Sequence, residues 1–186
     1  MEKKHNNGHQ HQGKSSERLV EKEKIVASLS IRTGQKVLDA GCGNGYMAVE
    51  FAKQVGISGK VYALDPDASA IAWLTEETRG TVIEPFVGDV TQQTKLPPSS
   101  IDLIYLSTVL HGFTPAQMQG FVLEAKRLLK PGGTLALVEI KKEETPFGPP
   151  QSMRLSAEEL ESTLGLSSIN RVDVGRYFYL QIFQLP

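Results

Sequence analysis

Apolar residues along this chain fall into two alternating rhythms, short continuous runs and spaced stripes, which predict strands and helices in turn. Val37-Leu38-Asp39-Ala40 reads as a short buried strand that runs into Gly41-Cys42-Gly43-Asn44-Gly45. A helix over 46–54, a strand over 60–64, a helix over 68–78 and a strand over 81–87 follow. A loop over 89–100 carries Pro97-Pro98 and leads to a fourth strand over 101–106. Thr114-Pro115-x-Gln117 has the form of a capping box with proline in the first turn, and it opens a long helix. Met118, Phe121, Val122, Ala125, Leu128 and Leu129 form the buried stripe of that helix. Pro131-Gly132-Gly133 is expected as a turn before a fifth strand over 134–140.

Ser156-x-x-Glu159 is a second capping box, and Gly165 ends its helix. Two strands, over 168–174 and 177–184, close the series. The two residues between them, Gly175-Arg176, are too few for a crossover, so the pair must be an antiparallel hairpin. Ahead of the series, Leu19, Val20, Ile25, Val26 and Leu29 recur at helical spacing among Glu and Lys, predicting an amphipathic helix over 16–29. The fold class is therefore α/β, a mostly parallel sheet with helices on both faces. Ligands of such sheets bind at the carboxyl ends of the strands.

Length and composition narrow the picture. At 186 residues the chain suits one domain, and its 40% apolar content supplies a core. Twenty Lys+Arg against 21 Asp+Glu leave a net charge of -1, without the cationic surplus that a nucleic-acid binder needs. A single cysteine excludes an internal disulfide and a cysteine-based zinc site. No apolar run approaches the ~20 residues of a membrane span. The opening Met1-Glu2-Lys3-Lys4-His5 lacks a hydrophobic signal core. The expectation is a cytoplasmic protein whose partner is a small molecule. Residues 1–15 are expected to be a disordered polar tail. That tail holds His5, His9 and His11; His9-x-His11 is either a weak metal ligand pair or plain tail, and no other metal site is expected.

The strand ends hold the candidate chemistry. After the first strand, Asp39-x-Gly41-x-Gly43-x-Gly45 allows a tight turn and close approach of a ligand to the backbone, with a helix N-terminus behind it. The third glycine comes one residue too early for the dinucleotide fingerprint G-x-G-x-x-G, since position 46 is Tyr. After the second strand, Asp65 can accept from both hydroxyls of a ribose, or be a turn residue before Pro66. After the third, Asp89 and the Val90 amide suit the edge of an adenine. Cys42 is either a thiol activated at a helix N-terminus or a small residue tolerated in a tight loop.

Taken together, these residues resemble the class I S-adenosylmethionine-dependent methyltransferases. Asp39–Gly45 looks like their D-x-G-x-G-x-G motif, Asp65 their acid after strand two, and Gly88-Asp89-Val90 their adenine motif. Leu128-Leu129-Lys130-Pro131-Gly132-Gly133 looks like their turn before strand five. Within the class the chain is most similar to the small ubiquinone/menaquinone-biosynthesis-like, or type 11, group. The resemblance implies a Rossmann-like seven-stranded sheet with an antiparallel C-terminal strand, spanning 35–186 as the S-adenosylmethionine-binding domain. It implies S-adenosylmethionine as cofactor and S-adenosylhomocysteine as product. Gly41, Gly43 and Gly45 would line the methionine part with Asp39 nearby. Asp65 would hold the ribose, Pro66 would pack on adenine beside Asp89 and Val90, and Ser107 would place its backbone near the ammonium.

On the acceptor side, His111 is the candidate general base, or else a structural histidine capping the turn at Gly112. Tyr46, Glu139 and Lys141 are weaker candidates. Residues 16–34 are expected to form a helical lid facing the stiff proline-rich segment over 141–155. Two alternatives stay open: a non-catalytic S-adenosylmethionine-binding module, and a nicotinamide-dependent oxidoreductase.

Overall fold

The computed structural model describes residues 19–185. The expected tail over 1–15, and the first residues of the expected leading helix, lie outside them. The order of elements is α1 (Lys22–Leu29), β1 (Lys36–Ala40), α2 (Tyr46–Val55), β2 (Lys60–Asp65), α3 (Ala68–Glu77), β3 (Ile83–Val87), β4 (Ile101–Ser107), α4 (Pro115–Leu128), β5 (Leu129–Ile140), α5 (Ala157–Leu164), β6 (Ser168–Gly175) and β7 (Phe178–Gln184). One seven-stranded sheet runs in the order β3-β2-β1-β4-β5-β7-β6. Only β7 runs against the others: it pairs antiparallel with β5 on one side and β6 on the other. The α/β sheet, the helices on both faces and the terminal hairpin are as the apolar rhythm implies.

Alternation along the buried strands sends side chains to two cores. Ile25, Phe51, Leu74, Tyr105, Val138 and Leu180 pack on the face covered by α1, α2 and α3. Phe121, Leu128, Leu160, Tyr179 and Phe183 pack on the face covered by α4 and α5. Both expected capping boxes form, Thr114 with Gln117 and Ser156 with Glu159. Each satisfies two amides that a helix start otherwise leaves unpaired.

Three boundaries differ from expectation by more than one residue. α1 begins at Lys22 and not at residue 16: Leu19 and Val20 lie in a turn, and the Glu21 amide donates to the Val174 carbonyl at 2.7 Å. Docking on β6 thus replaces the first helical turn. β3 begins at Ile83 and not at 81, because the Thr81 amide and hydroxyl both bond the Thr78 carbonyl and close the end of α3. The Pro131-Gly132-Gly133 turn is an excursion within β5. Ile101 faces Leu129 and Leu103 faces Thr134, so 130–133 bulge out, held by Gly132 and Gly133 bonds to Leu185.

Candidate active site

At the carboxyl end of β1 the chain folds into a loop that is pinned from below. The amides of Gly41 and Cys42 both donate to the Leu64 carbonyl, at 2.7 and 3.0 Å, and the Gly45 amide donates to the Cys42 carbonyl at 2.8 Å. Gly45 starts α2 at φ 79°, and a Cβ there would lie 2.4 Å from a Leu74 methyl, so a side chain fits neither the dihedral nor the space. Gly43 differs: a Cβ there would meet nothing within 4 Å. That open side of the loop is the space a ligand would fill. The thiol of Cys42 is buried, and burial pushes its ionisation far up, so it is a packed small residue and not a thiolate.

Asp39 lies beneath this loop, only 3% exposed, and its Oδ2 has no hydrogen-bond partner among the described residues. Burial raises its pKa to about 7; the Ala48 amide opposes the rise and the Asp65 charge adds to it. Across the β1–β4 pairing its neighbour is Tyr105, whose hydroxyl is likewise buried, with the Ser107 side chain beside it. A buried carboxylate oxygen without a partner is costly in a dry core, and a polar or cationic ligand above it would relieve that cost. Tyr105 carries no motif and was not marked by its sequence; only the pairing register reveals it.

Asp65 ties the loop to β2. Its Oδ2 accepts from the Gly43 amide at 2.8 Å and its Oδ1 from the Asp67 amide at 2.9 Å. Each oxygen keeps a second lone pair for a hydroxyl. Pro66 is exposed beside it. Asp89 closes its own turn, with Oδ1 accepting from the Thr91 amide and hydroxyl at 2.8 and 2.7 Å, while Oδ2 has only a 3.3 Å contact with Gln92. Val90 is buried next to it.

Ser107 ends β4 half-buried. The next residue, Thr108, holds φ 56°, left-handed backbone in a β-branched residue, which costs on the order of 1–3 kcal/mol. This bend leads into a single 3-10 turn, Leu110–Gly112, that carries His111. The imidazole Nδ1 lies 2.8 Å from Glu139 Oε2, and Glu139 Oε1 accepts from the Leu110 amide at 3.0 Å. His111 and Glu139 are thus brought together, while Lys141 is not with them: its ammonium bonds Asp173 and the Arg176 carbonyl. Tyr46 stands at the start of α2 with the Lys22 ammonium 5.2 Å from its ring centroid, and Lys22 also bonds Glu50 at 3.0 Å. Among the described residues no cluster of three or more His, Cys, Asp or Glu could hold a metal, and no helix is long and apolar enough to cross a membrane.

The proline-rich segment after β5 has a hub that its sequence concealed. Arg154 is buried, and its guanidinium donates to four backbone carbonyls, those of Pro149, Lys141, Glu143 and Phe147, at 2.7–3.2 Å. Arg154→Met is expected to free these carbonyls and loosen the segment by at least about 2 kcal/mol. Limited proteolysis checks this: cleavage within 141–153 should become much faster in the variant, and unchanged cleavage would remove Arg154 as the hub.

A family model described as a methyltransferase domain matches residues 37–133. An uncharacterized methyltransferase of Synechocystis sp. is 32% identical over 141 residues, which are 74% of this chain and 62% of that protein. A ubiquinone/menaquinone biosynthesis C-methyltransferase of Cronobacter sakazakii is 30% identical over 81% of this chain and 59% of its own length. The chain thus spans about half to three-fifths of the length of these methyltransferase relatives. The crystal structure of an S-adenosylmethionine-dependent methyltransferase from Aquifex aeolicus superposes with a TM-score of 0.82 at 28% identity, covering 94% of both chains. A type 11 methyltransferase structure from Sulfolobus solfataricus gives 0.76 at 21% identity over 90% of this chain, a likeness of fold. Matched over more than half its length by that model, the chain belongs to the methyltransferase-domain family, with the Rossmann-like fold of the S-adenosylmethionine-dependent methyltransferases.

Proposed function

We propose that this chain transfers the methyl group of S-adenosylmethionine to a small acceptor. The observation that carries the reading is the cradle over β1, where Gly43 faces open space above the buried, unpartnered Asp39 Oδ2. Bound there, the cofactor supplies a methyl carbon made electrophilic by its sulfonium sulfur. Gly41, Gly43 and Gly45 let the backbone approach the methionine portion. The Ser107 backbone reaches the ammonium, and the Asp39 carboxylate answers the net positive charge from below. Asp65 accepts from the ribose hydroxyls, Pro66 packs on adenine, and Asp89 with the Val90 amide meets its edge. His111 stands on the acceptor side as the group that takes a proton.

Of the lid expected over 16–34, the described residues 19–34 act as the cover, with Lys22 fastening α1 to α2 and screening the Tyr46 ring. In this reading a small acceptor enters between α1 and the Arg154-held loop. The C-methyltransferases among the relatives are named for quinone biosynthesis, which supports an aromatic acceptor of that kind.

Asp65→Ala tests the cofactor assignment by isothermal titration with S-adenosylhomocysteine. Losing charged hydrogen bonds should weaken binding by roughly 1.5–3 kcal/mol, about tenfold or more. Unchanged affinity would remove Asp65 from the ribose site, and no binding to the parent chain at millimolar ligand would overturn the proposal.

A further inference from the structure

We propose that Glu139 is a positioning residue that makes His111 a directional proton acceptor, so that the methyl acceptor is a molecule whose nucleophilic atom carries a proton for His111 to take. This rests on the methyltransferase reading above and adds the protonation of the acceptor's nucleophilic atom to it.

The geometry is specific. Glu139 sits near the end of β5, only 1% exposed, and each of its oxygens has one short partner, the Leu110 amide and His111 Nδ1. The amide bond holds the carboxylate on the same 3-10 turn that carries the imidazole, so ring and carboxylate are set by one piece of backbone. A carboxylate accepts and does not donate, so the neutral imidazole must carry its proton on Nδ1. Nε2 is then a bare lone pair, on a side chain that is 19% exposed, with no partner among the described residues. A histidine that only capped the turn at Gly112 would be served by a carbonyl. Burying a carboxylate from another strand costs several kcal/mol unless it is fully bonded, and an apolar pair of the same volume would join β4 to β5 more cheaply.

The step balances without any further reactant. As the acceptor's nucleophilic atom bonds the methyl carbon, its proton passes to Nε2, and the carbon–sulfur bond breaks with its pair remaining on sulfur. The imidazolium so formed is held against Glu139 and later returns its proton to water. Both Glu139 oxygens are engaged by the turn, so the group left to meet the acceptor is Nε2, a bare lone pair that takes the proton of a phenol, an enol or a thiol.

The test is nitrogen NMR of the full chain labelled in histidine, with His111→Gln identifying the His111 signal among the four histidines. The parent should show the proton on Nδ1 of the neutral ring. Glu139→Gln keeps an oxygen for the Leu110 amide and turns its NH2 toward Nδ1, so the proton should move to Nε2. A parent ring protonated on Nε2, or a variant that keeps the parent tautomer, overturns the positioning role. Alongside, the parent loaded with S-adenosylmethionine is offered catechol and benzyl mercaptan, whose nucleophilic atoms carry a proton at neutral pH, and pyridine, whose nitrogen carries none. Methylation of a proton-bearing probe, lowered about 100-fold or more in Glu139→Gln while S-adenosylhomocysteine affinity stays within about twofold, supports the inference. Methylation of pyridine alone, or of no probe, overturns the acceptor class. Failure of the parent to bind S-adenosylhomocysteine overturns the methyltransferase reading instead, and the tautomer result still decides the role of Glu139.

Discussion

Gly120→Ala is expected to destabilise the fold by on the order of 2–4 kcal/mol and to weaken cofactor binding as well. Gly120 lies inside α4, where alanine is ordinarily better than glycine by about 1 kcal/mol. Here the helix crosses the loop after β3 so closely that an added Cβ would stand 2.0 Å from the Thr91 carbonyl oxygen. That obstacle is backbone, and no side-chain rotation clears it. Either α4 lifts from the core that Phe121, Ala125 and Leu128 fill, or the Thr91 segment moves. Overpacking of this kind costs about 1–3 kcal/mol and sometimes more, against a total stability of about 5–15. Thr91 is bonded twice to Asp89, so displacing it also displaces the proposed adenine edge. Urea unfolding and S-adenosylhomocysteine titration measure the two effects, with Gln119→Ala on the exposed side of α4 as the control, expected within about 0.5 kcal/mol of the parent. Equal midpoints for Gly120→Ala and the control would show that the helix and loop are not in tight contact.

Asp39→Asn should stabilise the chain at alkaline pH and leave it little changed at acid pH. Burial raises the Asp39 pKa from the ordinary 3.8 to about 7. Between those values the folded chain keeps a proton that the unfolded chain has released, so folding stability falls as pH rises through about 4 to 7. At about 1.36 kcal/mol per pH unit the full loss is on the order of 4 kcal/mol. Asparagine cannot ionise and escapes it. The variant should melt at least about 5 °C higher than the parent at pH 8, and the gap should close toward pH 4. An equal gap at both ends of the range would rule out ionisation of Asp39 as its source. The gain has a functional cost: without the carboxylate, the site loses the charge that draws a cationic cofactor, and S-adenosylhomocysteine and S-adenosylmethionine should both bind more weakly.

The features legible in the sequence are those set by neighbours along the chain. The two capping boxes, the glycine loop after β1 and the closing hairpin each depend on residues a few positions apart, and each forms as its local pattern implies. The less legible features are set by register and crossing. Tyr105 stands beside Asp39 only because β1 and β4 pair as they do. Gly120 stands against Thr91 only because α4 crosses the loop after β3 where it does. The partners of Arg154 among the described residues are backbone carbonyls, which have no pattern in sequence. Leu19 and Val20 have helical spacing, but their backbone lies against the β6–β7 turn while the Leu19 side chain stays exposed: the Leu19 carbonyl approaches Gly175 so closely that a Cβ there would be 2.5 Å away.

The outer strands of the sheet have a bearing on how the chain behaves in company. β3 carries Pro85 at its centre, which offers no N–H to a further strand, and Lys60, Glu84 and Lys95 crowd beside it in ion pairs. β6 is irregular at two points of its pairing, and its Val174 carbonyl is already taken by Glu21. Edges so blunted are poor templates for strand addition. At high concentration, copies of this chain resist the edge-to-edge growth that leads to insoluble sheet, and contacts with other molecules are left to the helical faces.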